Sequence, residues 1–266
     1  MDRRLIRHGA LAALVLIAGA CSTLSRVAPA PLPPEGYLDA DAVGGLAGTF
    51  SPSPQPLSWP VEPPGLAPGT DRWWLATAQA ELRAPFAAQH FDCALGTRLS
   101  ERERPALTRL MNRLLVDADA LTRRLSAASP RARPIAVDRS LEPCQRVTDA
   151  MRDSPSWPAN GAVVGAAYGE MFAALAPDRG TTLRDVGRQI GQSREVCRMN
   201  WRGDVADGER IGQALYARIA ATSDFAADLE AARMEVEASR AEGLTNPSCT
   251  AERWATRQSP DRRALD

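Results

Sequence analysis

Apolar residues recur at spacings of three and four over one long stretch in the middle of the chain. They are Leu107, Leu110, Met111, Leu114, Leu115, Ala118, Leu121 and Leu125. This period places all of them on one face of an α-helix. Ser100, Glu103 and Pro105 precede the stretch in the order that is typical of a helix start. The pattern predicts one amphipathic helix with a wide buried face.

A second apolar stretch, GAVVGAAYGEMFAAL, contains Gly161, Gly165 and Gly169. The spacing of four puts these glycines on one helix face, where a neighbouring helix can approach closely. Each glycine costs about 1 kcal/mol of helix propensity relative to alanine, so close packing has to compensate. We predict a core helix here, with Asn160 as its N-cap.

Three further helical patterns follow toward the C terminus, and no segment alternates as a β-strand does. They run from about Thr182 to Cys197 with Leu183, Val186 and Ile190, from Asp204 with Val205, Ile211, Leu215 and Ile219, and from about Ser223 with Phe225, Leu229, Ala232 and Val236. The last pattern ends near Gly243, a typical helix stop. The sequence therefore predicts an all-α domain over residues 70–243, followed by an irregular tail over residues 244–266.

The segment over residues 21–69 has a different composition. It is dense in Pro, Gly and Ser, as in APAPLPPEG and SPSPQPLSWPVEPPGLAPG. Such a composition does not sustain a helix and offers little apolar surface to bury. We expect an extended spacer or a strap that is laid over the helical domain.

Residues 1–20 have the features of an export signal, with three arginines followed by an apolar run that is short for a membrane span. The small residues before Cys21 resemble a bacterial lipobox, which implies cleavage before Cys21 and attachment of lipid to it. The mature chain is then anchored to a membrane without spanning it. Ser22 resembles the outer-membrane sorting choice, which gives a periplasmic location. An ordinary signal peptide with an incidental Cys21 is the alternative.

The charge balance of the mature chain gives no reason to expect a nucleic-acid partner. Removing residues 1–20 takes away three arginines and one aspartate and leaves 29 basic against 31 acidic residues. A slightly negative protein has no excess of positive charge for phosphate backbones or anionic surfaces. Every basic residue is an arginine, since the sequence contains no lysine.

An even number of cysteines follows Cys21. They are Cys93, Cys144, Cys197 and Cys249. In an exported protein this number indicates two disulfides, although the spacings leave all three connectivities open. A metal site is the alternative. The sequence contains no C-x-x-C pair and only two histidines, so we expect neither a metal nor a cofactor.

Three ordered motifs lie within the predicted helical domain: ARP at 132–134, SPSWP at 154–158 and SREVCRMNWRGD at 193–204. With their spacing and flanking sequence they resemble the class A bacterial acid phosphatases of the type 2 phosphatidic acid phosphatase superfamily. That family carries K-x6-R-P, P-S-G-H and S-R-x5-H-x3-D. The likeness extends from LPPEG through RWWLATAQAE and FDCALG to DFAADLEAARMEVE. It implies a helical bundle of the acid phosphatase and vanadium haloperoxidase type.

The resemblance implies a phosphomonoesterase in which one histidine attacks phosphorus, an aspartate orients it and a second histidine protonates the leaving group. A lysine, two arginines and backbone donors hold the phosphoryl oxygens. By position, Asp204 matches the orienting aspartate. The phosphate-binding positions are matched by Arg133, Ser156, Trp157 and Arg194, with the tryptophan standing where the family has glycine.

Three positions depart from the family at the residues that perform the chemistry. Ser126 stands in place of the lysine, which removes a positive charge from around the transition state. Pro158 replaces the acid histidine and has neither a titratable group nor a backbone N–H. Asn200 replaces the nucleophilic histidine, and its amide nitrogen cannot form a phosphoenzyme because its lone pair is delocalised.

The residue counts lead to the same conclusion without any alignment. The chain has two histidines, His8 and His90, and His8 lies in the export signal. One histidine cannot be both nucleophile and acid. We expect His90 to be a surface or packed residue rather than a relocated catalyst. Cys197, the other conceivable nucleophile, is expected to form a disulfide.

The sequence therefore predicts a pseudoenzyme of the cell envelope that binds phosphate or a phosphorylated small molecule weakly through Arg133, Arg194 and Ser156. Three alternatives stay open. In the first, both arginines pair with carboxylates such as Asp204. In the second, Trp157 plugs the pocket and the molecule is a scaffold for a protein partner that the sequence does not identify. In the third, the protein is an active phosphomonoesterase with a non-histidine nucleophile such as Asp204.

Overall fold

The structure, a computed structural model, describes residues 35–54 and 66–257, and this part of the chain is mainly helical. Its α-helices are α1 (Ala40–Ala47), α2 (Asp71–Ala78), α3 (Asp92–Leu95), α4 (Pro105–Ala128), α5 (Pro134–Val137), α6 (Asp149–Asp153), α7 (Asn160–Leu175), α8 (Gly180–Val196), α9 (Arg202–Ile219), α10 (Ser223–Ala241) and α11 (Cys249–Arg257). Those residues contain no β-strand. The prediction of an all-α fold is confirmed.

Helix α7 lies at the centre of the molecule and packs against α4, α8, α9 and α10. Thirteen of its sixteen residues are buried. A helix that is apolar on all sides belongs in a core, because no side of it gains from contact with water. The buried apolar residues of α4, α8, α9 and α10 surround it and form one continuous core.

Glycines set the distance between α7 and its neighbours. A Cβ on Gly165 would lie 2.6 Å from the carbonyl oxygen of Gly187 in α8, and one on Gly169 would lie 3.2 Å from the Cα of Arg184. On the other side, a Cβ on Gly212 of α9 would overlap the carbonyl of Val163. The predicted close approach of a helix to the glycine face of α7 is therefore present, and α8 is that helix.

The predicted helix boundaries hold to within a few residues, with one change of role. Pro105 is the first residue of α4, and Gly243 after α10 has the positive φ of 68° that favours glycine. Asn160 is the first residue of α7 rather than its cap, a position that Ala159 occupies. Its side chain accepts from Thr122 at 3.0 Å and donates to Asp119 at 2.9 Å, so the amide joins α7 to α4 instead.

Part of the proline-rich segment over residues 21–69 is helical, contrary to the expectation of a spacer without helix. Helix α1 begins after Asp39, whose carboxylate accepts the N–H of Ala42 at 2.7 Å, and buries Val43 and Ala47. Just before it, the backbone N–H of Tyr37 donates to Asp117 of α4 at 2.7 Å. A local N-cap and a small apolar face against α4 are sufficient for a helix in this stretch.

The C-terminal segment over residues 244–266 also departs from the prediction of an irregular tail. Residues Cys249–Arg257 form α11, which packs against α2. A disulfide between Cys249 and Cys93 and a 3.0 Å hydrogen bond from Asn246 to Asp92 fix it to the domain. The helix depends on these long-range contacts, which local sequence does not reveal. Residues 258–266 lie outside the described part.

Residues 1–34 and 55–65 also lie outside the described part of the chain, and they include the predicted export signal and Cys21. None of the helices within 35–54 and 66–257 has the length and apolar character needed to cross a bilayer.

Candidate functional site

The three sequence motifs meet at one place in the fold. Ser126 lies in the last turn of α4, the SPSWP motif forms the loop before α7, and the third motif spans the end of α8 and the start of α9. Four contacts join them: Asn200 to Ser156, Ser126 to Trp157, Arg131 to Asp204 and Arg133 to Met199. Residues far apart in sequence thus form a single buried polar site.

The turn between α8 and α9 places Asn200 in this site. The carbonyl of Arg194 accepts the N–H groups of Met199 at 3.0 Å and Asn200 at 3.3 Å, and Arg198 takes a left-handed conformation with φ 58°. The Asn200 side chain is 3% exposed and donates to the carbonyl of Ser156 at 2.6 Å. At the position where the family resemblance implies a nucleophile, the structure has a buried amide engaged in a hydrogen bond.

The SPSWP loop carries two of the departures from the family pattern. Trp157 is 1% exposed, belongs to the main core and donates its indole N–H to Asp207 at 2.9 Å. Its carbonyl accepts the Ser126 hydroxyl at 3.0 Å. Pro158, which follows a cis peptide bond, is buried beside it. The indole is thus a structural part of the core where the family has a glycine.

Asp204, in the first turn of α9, is fully buried and forms an ion pair with Arg131. Burial raises the pKa of the Asp204 carboxyl, while the Ser156 hydroxyl and Arg131 offset part of that rise. Arg131 was missed in the sequence analysis. It lies at a position that the family motif K-x6-R-P leaves unspecified, so the motif gave no signal for it.

Arg133 does not pair with a carboxylate of any described residue. Its Nη1 donates to the carbonyl of Met199 at 2.7 Å and its Nε donates to the Ser154 hydroxyl at 3.1 Å. Burial lowers the pKa of the Arg133 guanidinium, and the charge of Asp204 offsets part of that fall. One alternative was that Arg133 and Arg194 both pair with carboxylates such as Asp204. Arg133 does not do so, because Asp204 forms its ion pair with Arg131 instead.

Arg194, in the last turn of α8, is 7% exposed, and its Nη2 donates to the carbonyl of Ala76 at 3.3 Å. Its buried Nε makes no hydrogen bond to the described residues. Burial, followed by repulsion from Arg133 and Arg72, lowers the pKa of Arg194 to about 10. A buried donor among like charges favours the approach of an anion.

Arg72 of α2 is a second residue that the motifs did not indicate. It is 1% exposed, and it donates to the Ser193 hydroxyl at 2.9 Å and to the Gln189 carbonyl at 3.2 Å. Burial lowers its pKa to about 10. Arg72, Arg133 and Arg194 together form the arginine cluster. Its only sequence signal was the match of RWWLATAQAE to the family, outside the three motifs.

The four cysteines of the described residues and His90 have structural partners. Cys144 is bonded to Cys197 and Cys93 to Cys249, with Cα atoms 4.7 and 5.4 Å apart. Cys197 in a disulfide is not a nucleophile. His90 is 7% exposed, and its Nε2 lies 2.9 Å from the carbonyl oxygen of Glu81. Burial lowers the pKa of His90, the hydrogen bond to the Glu81 carbonyl offsets part of that fall, and the charge of Arg194 adds to it.

Comparison with known proteins identifies relatives among bacterial phosphatases, although no protein-family model matches the chain. The chain is 30% identical over 179 residues to an acid phosphatase of Zymomonas mobilis subsp. mobilis, which covers 66% of this chain and 67% of that protein. It is 25% identical over 167 residues to a non-specific acid phosphatase of Providencia stuartii, covering 62% and 67% of the two chains. For a non-specific acid phosphatase of Salmonella typhimurium the identity is 23% over 169 residues, covering 63% and 68%. The chain belongs to the class A bacterial acid phosphatase family.

Proposed function

We propose that this chain is a family member without phosphomonoesterase activity. The observation that carries the proposal is the hydrogen bond from the Asn200 amide to the Ser156 carbonyl at the nucleophile position. His90, the one histidine outside the export signal, hydrogen-bonds the Glu81 carbonyl, and Pro158 has no proton to donate. When a set of catalytic residues that act together loses its nucleophile, turnover falls by about a millionfold relative to an intact site.

A phosphomonoesterase assay on purified protein from pH 4 to pH 8 tests the proposal. We expect no turnover above the background that Arg194→Ala shows under the same conditions. Asp204→Ala is assayed alongside, because Asp204 is the alternative nucleophile. Hydrolysis at the rates of its relatives, removed by either substitution, would overturn the proposal. Burial of Asp204 and its ion pair with Arg131 weigh against that outcome.

The same site is proposed to bind phosphate or a phosphorylated small molecule weakly. The support is the arginine cluster, in which the buried Nε of Arg194 lacks a partner among the described residues and the neighbouring charges are positive. Guanidinium groups match the geometry of phosphate oxygens. The hydrogen-bond acceptors of Arg133 are neutral oxygens of Met199 and Ser154, and an anion can replace them.

Calorimetric titration with phosphate and with vanadate tests anion binding. We expect a dissociation constant in the millimolar range, about −4 kcal/mol, and loss of the signal in Arg194→Ala. Arg218→Ala is the matched control, because Arg218 is exposed on α9. If wild type gives no heat, or if Arg194→Ala and Arg218→Ala bind equally, the arginine cluster is not an anion site.

Location at the cell envelope is also a proposal, and it rests on the signal-like residues 1–20 and on Cys21. The expected result is that the protein sediments with membranes and incorporates labelled palmitate. Cys21→Ser releases it into the soluble exported fraction. Membrane association that survives Cys21→Ser would contradict lipid anchoring at this residue.

A further inference from the structure

A cavity of about 270 Å³ lies between α2, the segment Phe86–Phe91 and the C-terminal segment that contains α11. Among its lining residues are Asp71, Trp74, Gln79, His90, Asn246 and Glu252. None of its described lining residues is an arginine. The Cys93–Cys249 disulfide and the Asn246–Asp92 hydrogen bond fix the C-terminal segment in which α11 packs against α2.

Glu252 presents a carboxylate that has no partner among the described residues. It lines the cavity from α11, its side chain is half-buried, and it makes neither a hydrogen bond nor an ion pair there. Arg253, its neighbour on the same helix, donates instead to Thr250 at 3.1 Å. A half-buried carboxylate at a cavity wall is stabilised by any ligand that brings positive charge and N–H donors.

Two other groups on the cavity wall suit the same kind of ligand. The ring of His90 is neutral, and since Nε2 faces the Glu81 carbonyl as a donor, Nδ1 is left as an acceptor that makes no hydrogen bond to the described residues. Trp74 is 59% exposed and offers an indole to the cavity. An indole face attracts ammonium groups.

We propose that this cavity is a binding site for a small primary amine, with the ammonium group between the Glu252 carboxylate and the Trp74 indole. A primary ammonium carries three N–H donors and needs acceptors, which Glu252 and His90 supply. The volume lies just below the roughly 300–1,000 Å³ of typical small-molecule sites, so the ligand is small. The proposal is independent of the proposed function, because no residue of the arginine cluster lines the cavity.

The charges around Glu252 determine how binding depends on pH. Asp92 of α3 and Arg253 act on Glu252 directly, burial and Asp92 raise its pKa to about 7, and Arg253 offsets part of the rise. Asp71 on α2 adds negative charge to the wall, while Arg194 acts on the cavity only at the His90 end. Affinity for an amine is therefore expected to rise about tenfold from pH 6 to pH 8 as Glu252 ionises.

Ligand-observed NMR with the full-length, disulfide-bonded protein tests the proposal with butylammonium, butanol and butyrate, which share a chain length and differ in head group. At pH 8 we expect butylammonium to bind with a millimolar dissociation constant and the other two about tenfold more weakly. Glu252→Gln should lower the affinity for butylammonium about tenfold and remove its rise with pH. Trp74→Leu should lower it about threefold.

Glu237→Gln is the matched control, because Glu237 is exposed on α10, and it should bind as wild type does. The proposal is overturned if wild type shows no binding up to ~10 mM. It is equally overturned if butanol binds as tightly as butylammonium, or if Glu252→Gln retains the wild-type affinity while its thermal unfolding shows that it is folded.

Discussion

The Asn200 amide donates a 2.6 Å hydrogen bond to the Ser156 carbonyl and thereby joins the turn before α9 to the loop before α7. Both residues are buried, at 3% and 0% exposure. A residue at the position of the family's nucleophile thus has a structural role, since it satisfies a carbonyl that water does not reach.

Asn200→Ala is expected to destabilise the protein. It removes the donor and leaves the Ser156 carbonyl buried without its partner, which costs about 1–3 kcal/mol. The measurement is the free energy of unfolding from urea denaturation. Thr245→Ala, at an exposed position after α10, serves as the control and should change stability by less than ~0.5 kcal/mol. Equal stability of Asn200→Ala and wild type would show that the hydrogen bond is dispensable.

Trp157→Gly is expected to cost about 3–5 kcal/mol, because it empties a core position that is 1% exposed and removes the hydrogen bond to Asp207. Trp254→Ala removes an indole that is 57% exposed and should have a much smaller effect. Thermal unfolding of both variants measures the difference. A loss below ~1 kcal/mol for Trp157→Gly would mean that the core around this loop collapses readily.

This cost limits any attempt to restore the family's chemistry. A fourfold variant restores the lysine, the glycine and the two histidines that the family has at these positions. It combines Ser126→Lys, Trp157→Gly, Pro158→His and Asn200→His. Because the glycine costs so much stability, we expect activity only if the variant still folds, as judged by circular dichroism. Regained hydrolysis that disappears with added Arg194→Ala would show that the remaining site is intact. A folded variant without activity would show that the pocket has changed beyond the four positions.

Gly187→Ala is expected to destabilise the α7–α8 contact. The added Cβ overlaps the Gly165 carbonyl and lies 3.0 Å from the Cα of Gly169, so backbone has to move. We expect a loss of about 2–4 kcal/mol in the free energy of unfolding. Gly45→Ala in α1 is the matched control, since its Cβ meets nothing within 4 Å and should add about 0.5–1 kcal/mol of stability. An unchanged free energy of unfolding in Gly187→Ala would contradict this close packing of α7 on α8.

Glu252 is expected to make stability fall as pH rises. Its folded-state pKa is raised from 4.5 to about 7 by burial and by Asp92. Its contribution is therefore fully present below pH 4.5 and is lost as pH rises through 7, because the ionised group is less favourable in the folded state. The difference in unfolding free energy between wild type and Glu252→Gln should change by about 3 kcal/mol between pH 4.5 and pH 8.

Urea denaturation at pH 4.5, 6 and 8 measures that difference, with Glu237→Gln treated in the same way. The exposed control should follow wild type at each pH. Parallel curves for wild type and Glu252→Gln would show that the Glu252 carboxyl titrates alike in the folded and unfolded states.

The five helices α4 and α7 to α10 were predictable because their signals are local. The apolar period of α4 and the glycine face of α7 follow from residues within one helix, and their boundaries were found to within a few residues. The family resemblance indicated which motif positions share a site. The helices α1 and α11 were not predicted, because α1 depends on a cap and a few apolar contacts and α11 depends on partners far away in sequence.

By itself, the sequence determined which residue types are available for chemistry, because a count of histidines and lysines requires no coordinates. It also determined the all-helical class, since periodicity is a property of consecutive residues. Only the tertiary structure decided the partners: Arg131 on Asp204, Cys93 with Cys249, and Arg72 beside Arg194. Pairing depends on which helices pack together, and that choice depends on the shape and volume of the whole core rather than on any local pattern.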